Sequence, residues 1–346
     1  MRNVRVATVS QLSDYDEIID VRSPAEYAED HVPGAINAPV LSNEQRAEVG
    51  TLYTQVSPFV AKKLGAALIA RNIAQHLETL FSDRPKQWKP LVYCWRGGQR
   101  SGAMAHIMAQ VGWSVGRLDG GYKTYRRQVL DDLETLPDTL HFRVVCGPTG
   151  SGKSRLLHVL QEQGAQVLDL EALAQHRGSL LGNLPDEAQP AQKMFESRLW
   201  DALRHYDPQR PVFVEAESKK IGLLNMPEAL LTKIRISDCL AIEAPIAARV
   251  RLLMDDYKHF LADPALLTRC LAPLLPLHGH QVLERWQTLA EQGNWAVLVE
   301  ELLTMHYDPA YRRSTAYNFS LLSAAKVFRL DRLDDATLRA AVSDMV

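Results

Sequence analysis

The sequence predicts two consecutive α/β domains, the second ending in a long helical region. Three observations carry this expectation. The chain has 346 residues, about two domains of ordinary size. Short apolar runs alternate with helical stretches, which favours sheets covered by helices. Two glycine-rich loops each follow an apolar run directly, at Tyr93/Cys94 and at Cys146/Gly147.

In the first half, Glu17–Arg22 and Leu91–Cys94 read as buried strands, and Ser101–Val111 as a helix stopped by Gly112. Residues 128–141 are acidic and contain Pro137, so they are the expected boundary. The domains are therefore placed at 1–130 and 141–346, with a linker at 131–140. The second half opens with the strand Phe142–Cys146, a glycine-rich turn, and a helix over Arg155–Gln163 ending at Gly164. Further strands are expected at Ala165–Leu170, Pro211–Glu215 and Cys239–Glu243. The last hundred or so residues follow the helical period.

Composition narrows the function classes. Hydrophobic residues make up 46% and charged residues 23%, as in ordinary globular proteins. A net charge of -2 argues against a protein that coats nucleic acid, but not against a local basic groove. Cys94, Cys146, Cys239 and Cys270 form no C-x-x-C pair, so neither zinc nor a disulfide framework is expected. No apolar stretch has signal-peptide form or spans a bilayer. The expectation is a cytoplasmic protein with reduced thiols, no tightly bound cofactor, no metal and no membrane partner.

Cys94 stands where a strand ends, and Trp95, Arg96, Gly97, Gly98, Gln99 and Arg100 lead into a helix. Glycines let backbone N–H groups turn inward, and a helix N-terminus favours negative charge. With two arginines nearby, a cysteine there is expected as a thiolate able to accept sulfur or selenium.

Gly147-Pro-Thr-Gly-Ser-Gly-Lys-Ser154 matches G-x-x-x-x-G-K-S/T between a strand and a helix, the context that makes this pattern a phosphate site. Gly147, Thr149, Gly150, Ser151 and Gly152 would wrap a phosphate with backbone N–H groups. Lys153 would reach its terminal oxygens, and Ser154 could hold Mg²⁺. Acids at strand ends (Asp169, Glu171, Glu215 and Glu217) are candidates for organising Mg²⁺ or water, and Arg249 and Arg251 for clamping phosphate. Basic pairs at Lys62-Lys63 (with Arg71), Arg126-Arg127, Lys219-Lys220 and Arg312-Arg313 are candidate RNA contacts. Tyr307, Tyr311 and Tyr317 are a candidate stacking platform beside the last pair.

Two resemblances follow from these residues. Asp20-Val-Arg-Ser-Pro-Ala-Glu-Tyr27, His31-Val-Pro-Gly-Ala-Ile-Asn37, the Cys94 loop and Leu118-Asp-Gly-Gly-Tyr-Lys123 resemble the rhodanese family, which implies a three-layer domain with Asp20 in a supporting role. Arg100 lies six residues after Cys94, where common sulfurtransferase loops place arginine at five, so a bulkier donor than thiosulfate is expected. The whole chain resembles the bacterial tRNA 2-selenouridine synthase family. That match rests on Cys94–Ser101, Gly147–Ser154, Asp169–Ser179, Gln192, Phe195, Glu196, Val214–Gly222 and His306–Tyr311.

The second resemblance implies a P-loop NTPase-like α/β domain in the C-terminal part. It also implies a two-step exchange on tRNA carrying wobble 2-thiouridine. Geranyl diphosphate alkylates the sulfur, and selenium from selenophosphate then displaces the S-geranyl group. An enzyme supplying selenophosphate is an implied partner. In this scheme the P-loop holds the diphosphate, and Cys94 carries selenium as a perselenide steadied by Arg96 and Arg100. Two rivals stay open on the sequence: an ATP-dependent tRNA sulfurtransferase, and a regulatory NTPase with a rhodanese-like sensor.

Overall fold

The computed structural model describes residues 4–345. The chain forms two compact units. One runs to Asp132 and includes Ala191–Asp201; the other comprises Leu133–Pro190 and Ala202 onward.

In the first unit, β1 (Arg5–Ala7), β2 (Glu17–Asp20), β3 (Ile36–Asn37), β4 (Pro90–Tyr93) and β5 (Gly116–Leu118) form one sheet. The order is β1-β5-β4-β2-β3, and every pairing is parallel. All four residues of the central β4 are buried, as expected of a parallel strand covered on both faces. Ile19, Val92, Cys94, Met104 and Met108 share one core with Trp88 and Trp113. Helix Gln99–Val111 leaves the end of β4 and stops at Gly112, whose φ of +113° suits glycine.

In the second unit, β6 (Phe142–Cys146), β7 (Gln166–Leu168), β8 (Val212–Glu215), β11 (Asp238–Glu243) and β12 (Lys326–Arg329) form a parallel sheet in the order β12-β11-β6-β8-β7. A small hairpin, β9 (Lys220–Ile221) with β10 (Leu224–Asn225), branches off after β8. Helices between Ile246 and Asn318 enclose a separate apolar core around the fully buried Trp286. Leu303–Tyr307 is a π-helical turn. The fold is therefore a rhodanese-like α/β unit and a P-loop-type α/β unit with a helical extension.

Two expectations change. The units divide between Asp132 and Leu133, inside the expected linker at 131–140, but residues 131–139 are the last turns of helix Gly121–Thr139 and not an irregular segment. Tyr125, Val129 and Leu133, spaced by four, are buried and carry an apolar stripe that the acidic residues around it obscure. The tail expected to be helical also contributes β12, which pairs along Leu240–Glu243 of β11. Only Phe328 of that strand is buried, so the alternation that marks a strand is nearly absent.

One buried ion pair organises the first unit. Asp20 and Arg22 are 0% and 1% exposed and meet at 2.6 Å. Arg22 also donates to the Asp30 carbonyl and stacks 3.9 Å above the Tyr122 ring, and the Tyr122 hydroxyl donates to the Asp30 carboxylate. Asp20→Asn leaves the guanidinium buried without its counter-charge, at a cost on the order of 3–5 kcal/mol. The expected result is a lower urea midpoint for the transition of this unit, followed by the fluorescence of Trp88 and Trp113; an unchanged midpoint would contradict the assignment.

Candidate active sites

Cys94 closes β4 and is 3% exposed. Its Sγ lies 3.2 Å from Ser101 Oγ in the first turn of helix Gln99–Val111. No side chain caps that helix start, so its first N–H groups are available to an anion held on the sulfur. The loop is clasped by the Gly120-Gly121-Tyr122-Lys123 turn: Tyr122 and Lys123 donate backbone N–H bonds to the carbonyls of Cys94 and Trp95. Gly121 has a φ of +60°, and a Cβ there would overlap the Cys94 carbonyl. Trp95 stacks on Tyr122, with ring centroids 5.3 Å apart.

The arginines of this loop separate. Arg96 is exposed. Arg100 donates to Glu26 at 2.8 Å, and Arg46 pairs with the same carboxylate. Burial alone would raise the Glu26 carboxyl; the hydrogen bond and charge of Arg100, then the Ser23 N–H and Arg46, hold it below its ordinary range. The expected pairing of Arg100 with the selenium carrier thus competes with Glu26. Gln99 and Arg100 also border a cavity of about 1030 Å³ beside helices Asn43–Gln55 and Pro58–Glu78, lined largely by Val49, Ala66, Ile69 and Ile107.

In the second unit the turn from Gly147 to Gly152 connects β6 to helix Lys153–Glu162. Lys153 Nζ lies across the loop and donates to the Gly147 carbonyl at 2.7 Å. Ser154 Oγ donates to Glu171 at 3.0 Å. Gly150 has a φ of +76°, and a Cβ would come within 2.8 Å of Leu253. A cavity of about 330 Å³ opens over the loop.

The strand-end acids take different places. Asp169 caps helix Leu170–Ala174 by accepting from Ala172 N–H. Glu215 is 2% exposed and accepts from the Glu171 N–H. Burial, then the neighbouring carboxylates, raises Glu215 well above the ordinary range. Glu171 and Glu217 border the cavity. Burial, then the charge of Glu171, pushes Glu217 up to about 7, with Lys153 opposing. Among the described residues no cluster of three or more His, Cys, Asp or Glu has the geometry of a metal site.

Arg249 and Arg251 do not line this cavity. Arg249 is 4% exposed, donates through Nε and Nη2 to the Thr149 carbonyl, and pairs with Asp308; it braces the loop from behind. Arg251 is exposed. The arginines bordering the cavity are Arg155 and Arg177, which sequence reasoning missed. Arg155 directly follows the G-K-S motif, and Arg177 lies in Asp169–Ser179, so position in those motifs was the available signal. Tyr307 and Tyr311 border the cavity too, leaving Tyr317 as the exposed member of the expected stacking platform. Arg126 is engaged by Glu196, and Lys219 by Glu228.

A strand-end cysteine loop in one unit and a strand-end phosphate loop in the other define a rhodanese-like protein with a P-loop module. Comparison with known families agrees: residues 6–128 match the rhodanese-like domain, and residues 140–266 match the tRNA 2-selenouridine synthase AAA domain. The tRNA 2-selenouridine synthase of Aeromonas salmonicida is 33% identical over 85% of this chain and 86% of its own. That of Nitrosomonas europaea is 35% identical over 69% of this chain and 63% of its own, so the matched region spans less than two thirds of that relative. Among solved structures, a rhodanese-related protein from Thermoplasma volcanium aligns with 36% of this chain and 92% of its own, at 17% identity and a TM-score of 0.24. The chain belongs to the tRNA 2-selenouridine synthase family. No helix among the described residues is long and apolar enough to cross a membrane.

The pH response of the acid cluster follows from its geometry. A carboxyl raised in the folded state binds more protons there than when unfolded, so its stabilising share is complete below the unfolded value and is lost as pH rises through the folded one. For Glu217 the window runs from 4.5 to about 7. Thermal unfolding is expected to lose stability across it, and Glu217→Gln to flatten the loss by roughly 1–2 kcal/mol after allowance for solvent screening. Parallel curves for the two proteins between pH 5 and 8 would refute this.

Proposed function

We propose that this chain converts wobble 2-thiouridine in tRNA to 2-selenouridine, in two reactions divided between its loops. The observation that carries the reading is the presence, in one chain, of a cysteine loop and a phosphate loop, each at the end of a buried central strand. The names of its relatives support the tRNA product.

In the first reaction the thiocarbonyl sulfur attacks C1 of geranyl diphosphate. The C–O bond breaks, diphosphate leaves, and the base loses its N3 proton. Alkylation turns a poor leaving group into a thiol. The backbone of Thr149–Lys153 and the Lys153 ammonium stabilise the departing diphosphate, the charge that grows most in the transition state. Ser154 and Glu171 fit Mg²⁺, a hard cation usually held by one or two protein oxygens together with phosphate oxygens. Such an ion would add neutralising charge to the diphosphate. Glu217, poised near neutrality, is placed to receive a proton at this cavity.

In the second reaction selenophosphate, supplied by a separate enzyme in the cytosol, delivers selenium through Cys94. Attack of the thiolate on selenium leaves the Se–P electron pair on phosphorus, so phosphite departs. The perselenide attacks C2, geranyl thiol leaves with a proton, and a thiol reductant then cleaves the S–Se bond. The exposed Arg96 and the N–H groups at the start of helix Gln99–Val111 steady the anion.

Two variants separate the steps. Cys94→Ser is expected to abolish 2-selenouridine formation and to accumulate S-geranyl-2-thiouridine at near wild-type rate. Lys153→Ala is expected to cut geranyl transfer by about 10²–10³-fold, the scale of one lost transition-state contact. Mass analysis of digested nucleosides reads both, and equal loss of both products in Cys94→Ser would end the division of labour. Phosphorus NMR reads the leaving group: phosphate in place of phosphite would mean that selenium attacks C2 while still bound to phosphorus.

A further inference from the structure

The cavity over the phosphate loop leads into a second chamber of opposite character. Thr149, Ser179, Leu253, Tyr257 and Tyr307 border both. Beyond them the chamber wall is carbon, from Leu181, Phe260, Leu261, Trp295, Val299 and Leu302 among others. Polar side-chain atoms stand chiefly at its mouth. The π-helical turn Leu303–Tyr307 forms part of the wall and places Tyr307 at the junction; such turns are frequent at functional sites.

A nucleotide on this loop would direct its ribose and base to groups that can hydrogen-bond them, and the chamber offers few. It is also small, about 60 Å³ against about 330 Å³ for the phosphate cavity. A chamber so small and so apolar suits a hydrocarbon better than a nucleoside, whose polar groups would go unpaired there.

We infer that this chamber seats the hydrocarbon tail of a prenyl diphosphate whose diphosphate lies on the loop at Thr149–Lys153. The inference rests on the reading that the loop takes geranyl diphosphate, and it adds where the chain goes and what measures its length. The first carbons occupy the shared mouth between Leu253 and Tyr257, and the distal carbons enter between Leu261, Trp295 and Val299. Each methylene buried there strengthens binding about fourfold. Val299 and Leu261 are only partly buried, so changes at them disturb the fold least.

The experiment is calorimetric titration of the full chain with Mg²⁺ and, in turn, inorganic pyrophosphate and the dimethylallyl, geranyl and farnesyl diphosphates. Wild type is expected to bind geranyl diphosphate at least tenfold more tightly than pyrophosphate. Val299→Phe, which fills the chamber, is expected to weaken geranyl diphosphate at least tenfold and leave pyrophosphate within twofold. Leu261→Ala, which lengthens it, is expected to shift preference toward farnesyl diphosphate. Unchanged chain-length preference in both variants overturns the chamber assignment. If Val299→Phe also loses pyrophosphate, the loop itself is disturbed and Leu261→Ala alone decides. Lys153→Ala tests the underlying reading separately: geranyl diphosphate binding that survives it but not Val299→Phe sinks the diphosphate assignment and keeps the tail site, and the reverse pattern sinks the tail site alone.

Discussion

A parallel strand covered on both faces can offer polar groups to a ligand only at its end. This constraint underlies both sites. β4 and β6 are buried along nearly their whole length, so the chemistry collects where each strand meets its following helix. Ligands of open parallel sheets gather at such carboxyl ends. Both turns depend on glycines at positive φ, and both lead to a helix start whose free N–H groups favour anions. One device therefore recurs in both units, and the side chain it carries differs: a sulfur at Cys94, an ammonium at Lys153.

The loops differ in how they are supported. The Cys94 loop is held from outside by backbone bonds from Tyr122 and Lys123, and Tyr122 is itself fixed by Arg22 and Asp30. Asp20, far from the sulfur in sequence, thereby governs its position through Arg22. Glu26 acts in the same indirect way, by holding Arg100 at the edge of the loop. The charge the structure places beside Cys94 is then that of backbone dipoles at the uncapped helix start, and Arg100 is shared with a carboxylate.

Much of this architecture is legible in the amino-acid sequence. Buried strands advertise themselves as unbroken apolar runs, and both loops carry glycine spacings that few other folds require. β6 falls at Phe142–Cys146 as expected, because no face of it meets water. Legibility fails where burial is partial or where partners are distant in sequence. β12 has one buried residue and no alternation. The helical stripe at Tyr125, Val129 and Leu133 is hidden among acids. Arg249 has the right spacing for a phosphate clamp, but Asp308, fifty-nine residues later, claims its guanidinium. Periodicity reports on one element at a time, and these outcomes are set by two.

The fate of Arg249 bears on how the phosphate loop and the chamber wall are joined. Its guanidinium joins the Thr149 carbonyl to Asp308, and Thr149 borders both cavities. Asp308 directly follows Tyr307, the residue at the junction of the two cavities. A buried pair of this kind gives little net stability, since desolvation offsets attraction, but it fixes geometry. The same residue that looked like a ligand for phosphate therefore ties the phosphate loop to the turn beside it. That tie requires the charge to be buried and paired, as it is, and not directed into the cavity.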